Sequence, residues 1–393
     1  MRIATLTLVS LFGAAAYGQE NDDSVSDYEQ TGELIAELAG DIDISGAEVT
    51  ALPTKRMFSN WPSDLIIAPV PGRSPQLGWQ LTLAGGYFFE SKNDDSDAPP
   101  SIVGGFIMGA ENGSTAYGVG SHLHLRDDNI RVKAGIGYAD IRYRLYGKGN
   151  EAGERGIGLK ILQNGPLYTA SVKWRVWNKL YIGLGYIGGE IETRARVEIP
   201  DTLALSFDPS IAFDLGAFTI PVEYDTRDND QFPSSGWFAE ANARFFRESL
   251  GSGFDSESFE LGVNHYRPVH QDNVLAFRGY VKSTKGDPPF FLLSSFGGQT
   301  DLRGYESGRY RDNVMYALQS EYRWQFNDSW IFTGFAGVGE VAESFNDIGE
   351  NFLPAVGLGV RYVLSKKHKV GLSADLAYGK DGAEFYFGVG ESF

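Results

Sequence analysis

The sequence predicts an all-β protein, a 16-stranded antiparallel transmembrane β-barrel. Three observations favour this fold class. Glycine accounts for 49 of 393 residues and aromatic residues for 13%, which is typical of many short strands joined by turns. From about Trp79 onward, large apolar side chains alternate with small or charged ones, as in strands between lipid and a polar lumen. No run after residue 18 approaches the roughly 18 consecutive apolar residues that a spanning helix needs.

Residues 1–18 have the pattern of a signal peptide. Arg2 supplies the positive charge, residues 3–16 form the apolar stretch, and Ala16-Tyr17-Gly18 fits a cleavage site between small residues. We therefore expect an exported chain that begins at Gln19 after cleavage. Its expected location is the outer membrane of a bacterial cell, as an integral protein.

Residues 19–64 differ from the rest of the chain. Ten acidic residues precede Lys55, the first basic residue of this segment. Such a composition predicts an acidic, mostly disordered periplasmic segment. The alternative is a small helix over 31–38 that docks on or inside the barrel. The barrel domain is expected to occupy residues 65–393.

Alternation with period two defines the strands. In the stretch WQLTLAGGYFF, Trp79, Leu81 and Leu83 share one face, and Gln80 and Thr82 share the other. The predicted strands are 79–89, 101–110, 114–125, 129–146, 158–177, 180–197, 216–227, 236–248, 256–267, 273–284, 288–295, 314–325, 329–339, 351–363, 369–378 and 383–393. Their number is even, as in bacterial single-chain barrels.

Composition argues against several classes of function. The absence of cysteine removes disulfides, thiolate nucleophiles and cysteine-based zinc sites. The formal net charge of −17 disfavours nucleic acid as a partner. His122 and His124 lie on one strand face, but two ligands make a weak metal site. We expect no enzymatic activity and no cofactor.

The sequence ends in EFYFGVGESF. Alternation places Phe385, Phe387, Val389 and Phe393 on one apolar face, which Glu391 interrupts. The pattern resembles the C-terminal signal by which outer-membrane barrels are recognised for assembly, and Phe393 would be its terminal aromatic residue.

Three stretches carry a more specific resemblance. They are PVPGRSPQLGWQLTLAGGYFF at 69–89, YDTRDNDQFPSSGWFAE at 224–240 and FGGQTDLRGYESGRYRDNVMYALQSEYRW at 296–324. Together they resemble the bacterial surface antigen barrel of the BamA/TamA/Sam superfamily of outer-membrane assembly factors. The resemblance spans roughly 66–393. It implies an inward-folded loop between strands 11 and 12, where the segment LRGY falls.

The resemblance identifies the inward loop motif as Leu302, Arg303, Gly304 and Tyr305. An arginine offers five donors in a rigid fork that suits carboxylates, and strand parity points Glu321 inward as its best partner. Further inward charges are expected to join this anchor. They are Arg323, Arg361 and Asp375.

The chain departs from the family pattern in two places. The family has an inward acid in a Phe-x-Asp-x-Gly pattern, whereas this sequence reads Phe335-Ala336-Gly337-Val338-Gly339. The loop anchor is therefore expected to be weaker or to use a different set of ion pairs. The 46 residues of 19–64 do not resemble the periplasmic POTRA domains of the family, so we expect a barrel-only member.

Three functions follow as hypotheses. The first is insertion of unfolded client proteins into the outer membrane, or their translocation across it, at a weak seam between the first and last strands. Gly85 and Gly86 in the first predicted strand, with Gly388 and Gly390 in the last, would weaken that closure. The second is a gated pore or a barrel that interacts with outer-membrane lipids. The third is a structural barrel that binds a partner or forms a homodimer through its lipid-facing aromatic surface.

Overall fold

The computed structural model describes residues 65–89, 99–196, 210–229, 232–270, 272–365 and 370–393. The predicted signal peptide and the acidic segment, together 1–64, lie outside the described residues. No helix within the described ranges is long and apolar enough to cross a membrane.

In the part of the chain that the structure describes, sixteen antiparallel strands close into a barrel. These strands are β1 Leu65–Ser74, β2 Gly78–Phe89, β3 Ser101–Ala110, β4 Thr115–Leu125, β5 Ile130–Tyr146, β6 Gly158–Trp177, β7 Leu180–Arg196, β8 Ser210–Asp225, β9 Gly236–Phe246, β10 Ser256–His270, β11 Asn273–Gly286, β14 Val314–Gln325, β15 Trp330–Ala342, β16 Leu353–Ser365, β17 Val370–Gly379 and β18 Gly382–Val389. The two-residue strands β12 Ser294–Ser295 and β13 Arg311–Asp312 pair with each other inside the loop between β11 and β14. A short helix, α1 Asn150–Arg155, follows β5, and 3₁₀ turns cover Glu248–Leu250, Phe290–Leu292 and Phe345–Asp347.

The predicted fold class and strand number are confirmed, but two strands differ from the prediction. The first strand, Leu65–Ser74, was missed, because Pro69, Pro71 and Gly72 are residues that strands usually lack. The prediction of a strand over 288–295 was wrong, since this stretch contains a 3₁₀ turn and the two-residue β12. The two errors cancel in the count. The long loop therefore still falls between the eleventh and twelfth barrel strands.

The two faces of the barrel wall differ as the alternation predicts. On β2, the side chains of Trp79, Leu81 and Leu83 are each more than half exposed on the outer surface. On β14, Glu321 and Arg323 point into the barrel and are buried. The outer face is apolar because it meets lipid, and the inner face carries the charges.

The buried core lies inside the lumen, where the loop over 287–313 (the long loop) folds inward. Phe296, Tyr305 and Tyr310 form an aromatic cluster, with ring centroids 5.6–6.0 Å apart. This cluster packs against the inner wall together with Tyr280, Leu302, Met315, Ala317, Val341, Leu353 and Ala355. The long loop thus fills one end of the barrel.

Candidate functional site in the lumen and at the seam

Arg303 is the centre of the loop anchor. It lies at the tip of the inward fold and is fully buried. One terminal nitrogen lies 2.7 Å from Glu321 Oε2, and the other donates to Asp375 Oδ2 at 2.8 Å. The ring of Phe335 lies beneath the guanidinium group, with its centroid 3.4 Å from Cζ. Arg303 therefore joins the long loop to β14 and β17 and stacks on β15.

The anchor belongs to a larger buried charge network. Arg323 Nε donates to Glu321 at 2.8 Å, and Arg361 donates to Asp375 at 2.5 Å. Arg361 Nε also donates to Glu391 at 2.7 Å. We call this group the anchor network; it consists of Arg303, Arg323, Arg361, Glu321, Asp375 and Glu391. Its three cations and three anions balance, which limits the free energy of burying them away from water.

Gly337 stands where the resemblance leads us to expect an inward acid. A Cβ atom at this position would lie 2.7 Å from Leu302 Cδ1 and 2.7 Å from Leu318 O. Leu302 therefore fills the space that an acid would occupy on β15. Asp375, two strands away on β17, provides the second carboxylate instead.

The other residues of the motif fix the loop backbone. Gly304 has φ of 102°, a left-handed conformation that glycine adopts without a steric penalty. Its N–H donates to the Tyr386 hydroxyl at 3.0 Å. The Tyr305 hydroxyl donates to Pro354 O at 2.6 Å, and its ring packs in the aromatic cluster. Gly304 and Tyr305 thus hold the loop against β18 and β16, respectively.

Residues 390–393 leave the barrel wall and turn into the lumen. Gly390, with φ of 81°, makes this turn possible. Ser392 donates to Asp375 at 3.0 Å, and Arg323 donates to the main-chain oxygen of Phe393 at 2.8 Å. The Phe393 ring packs with Tyr266, Val274 and Ala276 of β10 and β11. The expectation that Phe393 shares an outer apolar face with Phe385 was therefore wrong; its role as an assembly signal stays a prediction.

The far end of the long loop is held by a second set of contacts. Arg309 pairs with Asp381 in the β17–β18 turn at 2.7 Å, and its Nε donates to Gly153 O of α1 at 2.9 Å. The Tyr310 hydroxyl donates to Asp381 at 3.1 Å. Burial raises the pKa of Tyr310, and the Asp381 carboxylate raises it further, so the hydroxyl keeps its proton. We call these contacts the loop latch.

The seam between β1 and β18 has the shortest register in the described wall. Its register consists of one Cα pair, Arg73 with Phe387, whereas all ten residues of β1 pair with β2. Side chains provide further contacts. Arg73 donates to Phe385 O at 2.8 Å, and the Trp79 ring lies 5.9 Å from that of Phe387. Arg73 and a group of aromatic rings thus add side-chain contacts to the short backbone register.

The predicted seam glycines lie in two different places. Gly85 and Gly86 belong to β2, where they pair with Ile67 and Ile66 of β1 and with two glycines of β3. Their expected placement in the first strand was wrong, because the sequence missed Leu65–Ser74. Gly388 lies on β18 as expected, and Gly390 starts the inward turn.

Sequence reasoning missed one residue of the seam and one of the anchor network, together with the latch residues Arg309, Tyr310 and Asp381. Arg73 was overlooked because it lies in the proline-containing strand. Glu391 was noticed only as an interruption of an apolar face, because period-two alternation does not show the turn at Gly390. Within the described ranges, no cluster of three or more His, Cys, Asp or Glu side chains is placed to hold a metal.

A closed sixteen-stranded barrel with an apolar outer surface and an inward-folded loop defines a transmembrane barrel of the outer-membrane type. The family is shown by a domain match. The chain belongs to the Omp85 superfamily, whose domain matches residues 112–393.

Several solved structures share this fold. The chain is similar to BamA from Haemophilus ducreyi lacking POTRA domains 1–3, with 15% identity and a TM-score of 0.58 over 83% of this chain and 70% of that one. It is also similar to CdiB from Acinetobacter baumannii, with 12% identity and a TM-score of 0.53 over 82% of this chain and 58% of that one. For CdiB from Escherichia coli the identity is 11% and the TM-score 0.54, over 84% of this chain and 63% of that one. The chain thus spans less than two thirds of either CdiB. Comparison with curated proteins gives no significant match.

Proposed function

We propose that this barrel inserts proteins into the outer membrane, or passes them across it, by opening the seam between β1 and β18. The observation that carries the proposal is the seam register of a single Cα pair. Each backbone hydrogen bond in a strand ladder contributes about 1 kcal/mol net. Separating β1 from β18 therefore requires less free energy than separating other neighbouring strands.

The sequence of β1 supports an edge that can accept an incoming strand. Pro69 and Pro71 are two residues apart, so their backbone groups face the same edge of β1. Neither proline has an N–H, so this edge lacks two hydrogen-bond donors. Because β1 pairs along its whole length with β2, we infer that this edge faces β18. An edge with free carbonyl groups and few partners can pair with a strand from another protein.

The inward turn at Gly390 supports the same proposal. Beyond Val389 the chain no longer extends the wall, and Glu391 joins the anchor network instead. The N-terminal part of β1, before Pro71, is therefore left without a neighbour from β18. Resemblance to outer-membrane assembly factors agrees with this use of the seam, and no enzymatic step is required.

The test is a reconstituted insertion assay. The purified protein is placed in liposomes, and the folding of a small unfolded outer-membrane protein is timed against empty liposomes of the same lipid. We expect faster insertion in the presence of the barrel. Equal rates with and without it would contradict the proposal that this chain inserts proteins.

A gated pore is the second candidate, and the loop latch favours it. The latch holds the long loop across the lumen through Arg309 and Asp381. A pore of this kind would conduct ions when the loop is removed and would leave the rate of protein insertion unchanged. Conductance and insertion therefore separate the two candidates.

A further inference from the structure

A row of hydrogen-bond donors crosses the inner wall away from the anchor network. Cross-strand pairing joins His122 of β4 to Lys133 of β5, and Lys133 to Ser171 of β6. The row continues through Gly185 of β7 to Thr219 of β8. Directly opposite side chains on one sheet face lie about 5 Å apart at Cβ. These groups are therefore neighbours.

Gly185 allows the two hydroxyl residues to approach each other. A Cβ atom at this position would lie 2.6 Å from Thr219 Oγ1 and 2.8 Å from Ser171 Cβ. The two side chains thus lean together over the glycine from both sides. We call His122, Lys133, Ser171 and Thr219 the donor row.

The adjacent row of the same wall is fully paired, which makes the contrast informative. Arg131 lies 2.5 Å from both Asp128 and Glu223, and Lys173 pairs with the other oxygen of Glu223. His124 Nδ1 lies 2.6 Å from Asp128 Oδ1. Asp128 and Glu223 thus already have cationic or imidazole partners in the row next to the donor row.

The donor row itself has unused donors. Lys133 makes no hydrogen bond and no ion pair with the described part of the chain. His122 Nε2 is buried without a hydrogen-bond partner. Glu223 and Glu240 are the acids within electrostatic range of Lys133, while Lys173 and Arg131 repel it. A partly buried cation among other cations is unfavourable unless an anion accompanies it.

We propose that the donor row binds a phosphate-class oxyanion inside the lumen. An ammonium group, two hydroxyl groups and an imidazole in its Nε2–H tautomer supply donors to oxygens that only accept hydrogen bonds. A dianion would also give Lys133 a direct ion pair and offset its repulsion by Lys173 and Arg131. Free phosphate and a lipid head group carrying a phosphate monoester share this chemistry.

Thermal unfolding of the detergent-solubilised protein tests the site. Inorganic phosphate should raise the midpoint temperature of the wild type in a saturable manner, because a ligand that binds the folded state stabilises it. Lys133→Met should abolish this shift. Lys179→Met, the same change at an exposed turn residue at the same end of the barrel, should retain it. Chloride at matched ionic strength is the salt control.

Two further variants keep the test decisive if Lys133→Met folds poorly. Ser171→Val and Thr219→Val remove hydroxyl donors and should each weaken phosphate binding at least threefold. A short-chain phosphatidic acid, compared with a phosphatidylcholine of equal chain length, distinguishes a lipid source from free phosphate. Stabilisation by neither phosphate nor phosphatidic acid would overturn the proposal, as would equal stabilisation of the wild type and Lys133→Met.

Discussion

At the residue scale, Arg303 determines whether the long loop stays inside the barrel. Its guanidinium group has two carboxylate partners, Glu321 and Asp375, and both are fully buried. Arg303 therefore stabilises the folded barrel mainly by neutralising carboxylates that are buried away from water.

Arg303→Ala should lower the free energy of unfolding by about 3–5 kcal/mol, because it leaves three buried carboxylates with the two remaining guanidinium groups of Arg323 and Arg361. Urea unfolding of the barrel in detergent, followed by tryptophan fluorescence, measures this. Arg155→Ala is the matched control, since its ion pair with Glu151 is exposed, and it should change stability by less than about 0.5 kcal/mol. Equal effects of the two variants would show that the anchor network does not hold the loop.

Gly337→Ala tests the rewired anchor. The new methyl group would meet Leu302 and the Leu318 carbonyl at 2.7 Å, so we expect destabilisation by about 1–3 kcal/mol. Gly109→Ala on β3, where a Cβ atom meets nothing within 4 Å, is the control and should be close to neutral. Unfolding midpoints in urea compare the two. Tolerance of Gly337→Ala would mean that the space for the family acid is still available.

Part of this site could be predicted from the sequence. Alternation along β14 pointed Glu321 and Arg323 inward, and the motif resemblance brought Arg303 towards them. The participation of Glu391 could not be predicted, because a turn at Gly390 overrides the period-two pattern that placed Phe393 outside. Pairing of Arg303 with Asp375 depends on barrel closure, which brings together residues 72 positions apart.

At the scale of elements, the predictable strands are those whose two faces meet different surroundings. β2 and β14 alternate clearly, since one face contacts lipid and the other contacts charge. Leu65–Ser74 does not, because its prolines suit an edge with little pairing. The apolar stretch around Phe290–Leu292 misled the prediction, since Leu292 packs on the inner wall with Leu215 and Phe246 rather than facing lipid.

The long loop is the element whose removal has the clearest expected effect. Deleting residues 299–312 removes Arg303, Arg309 and Tyr310, and with them the anchor and the latch. We expect an increase in single-channel conductance in planar bilayers. Asp381→Ala, which releases only the latch, should give a smaller increase or brief openings. Unchanged conductance after the deletion would mean that the loop does not occlude the lumen.

At the scale of the whole molecule, the anchor network links the loop to the seam strand. Glu391 and Ser392 follow β18 after Gly390, and they contact Arg361 of β16 and Asp375 of β17. Movement of the C-terminal end of β18 therefore disturbs the same charges that hold the long loop. Opening of the seam and release of the loop are expected to be coupled events.

The measurement that tests the central claim most directly is insertion by a barrel with a locked seam. Because the chain lacks cysteine, Arg73→Cys with Phe387→Cys creates one disulfide between register partners. Leu83→Cys with Ile107→Cys gives the same cross-link between β2 and β3 as a control. We predict that oxidation stops insertion only in the seam variant and that a reductant restores it. Full insertion activity with the seam cross-linked would contradict the account.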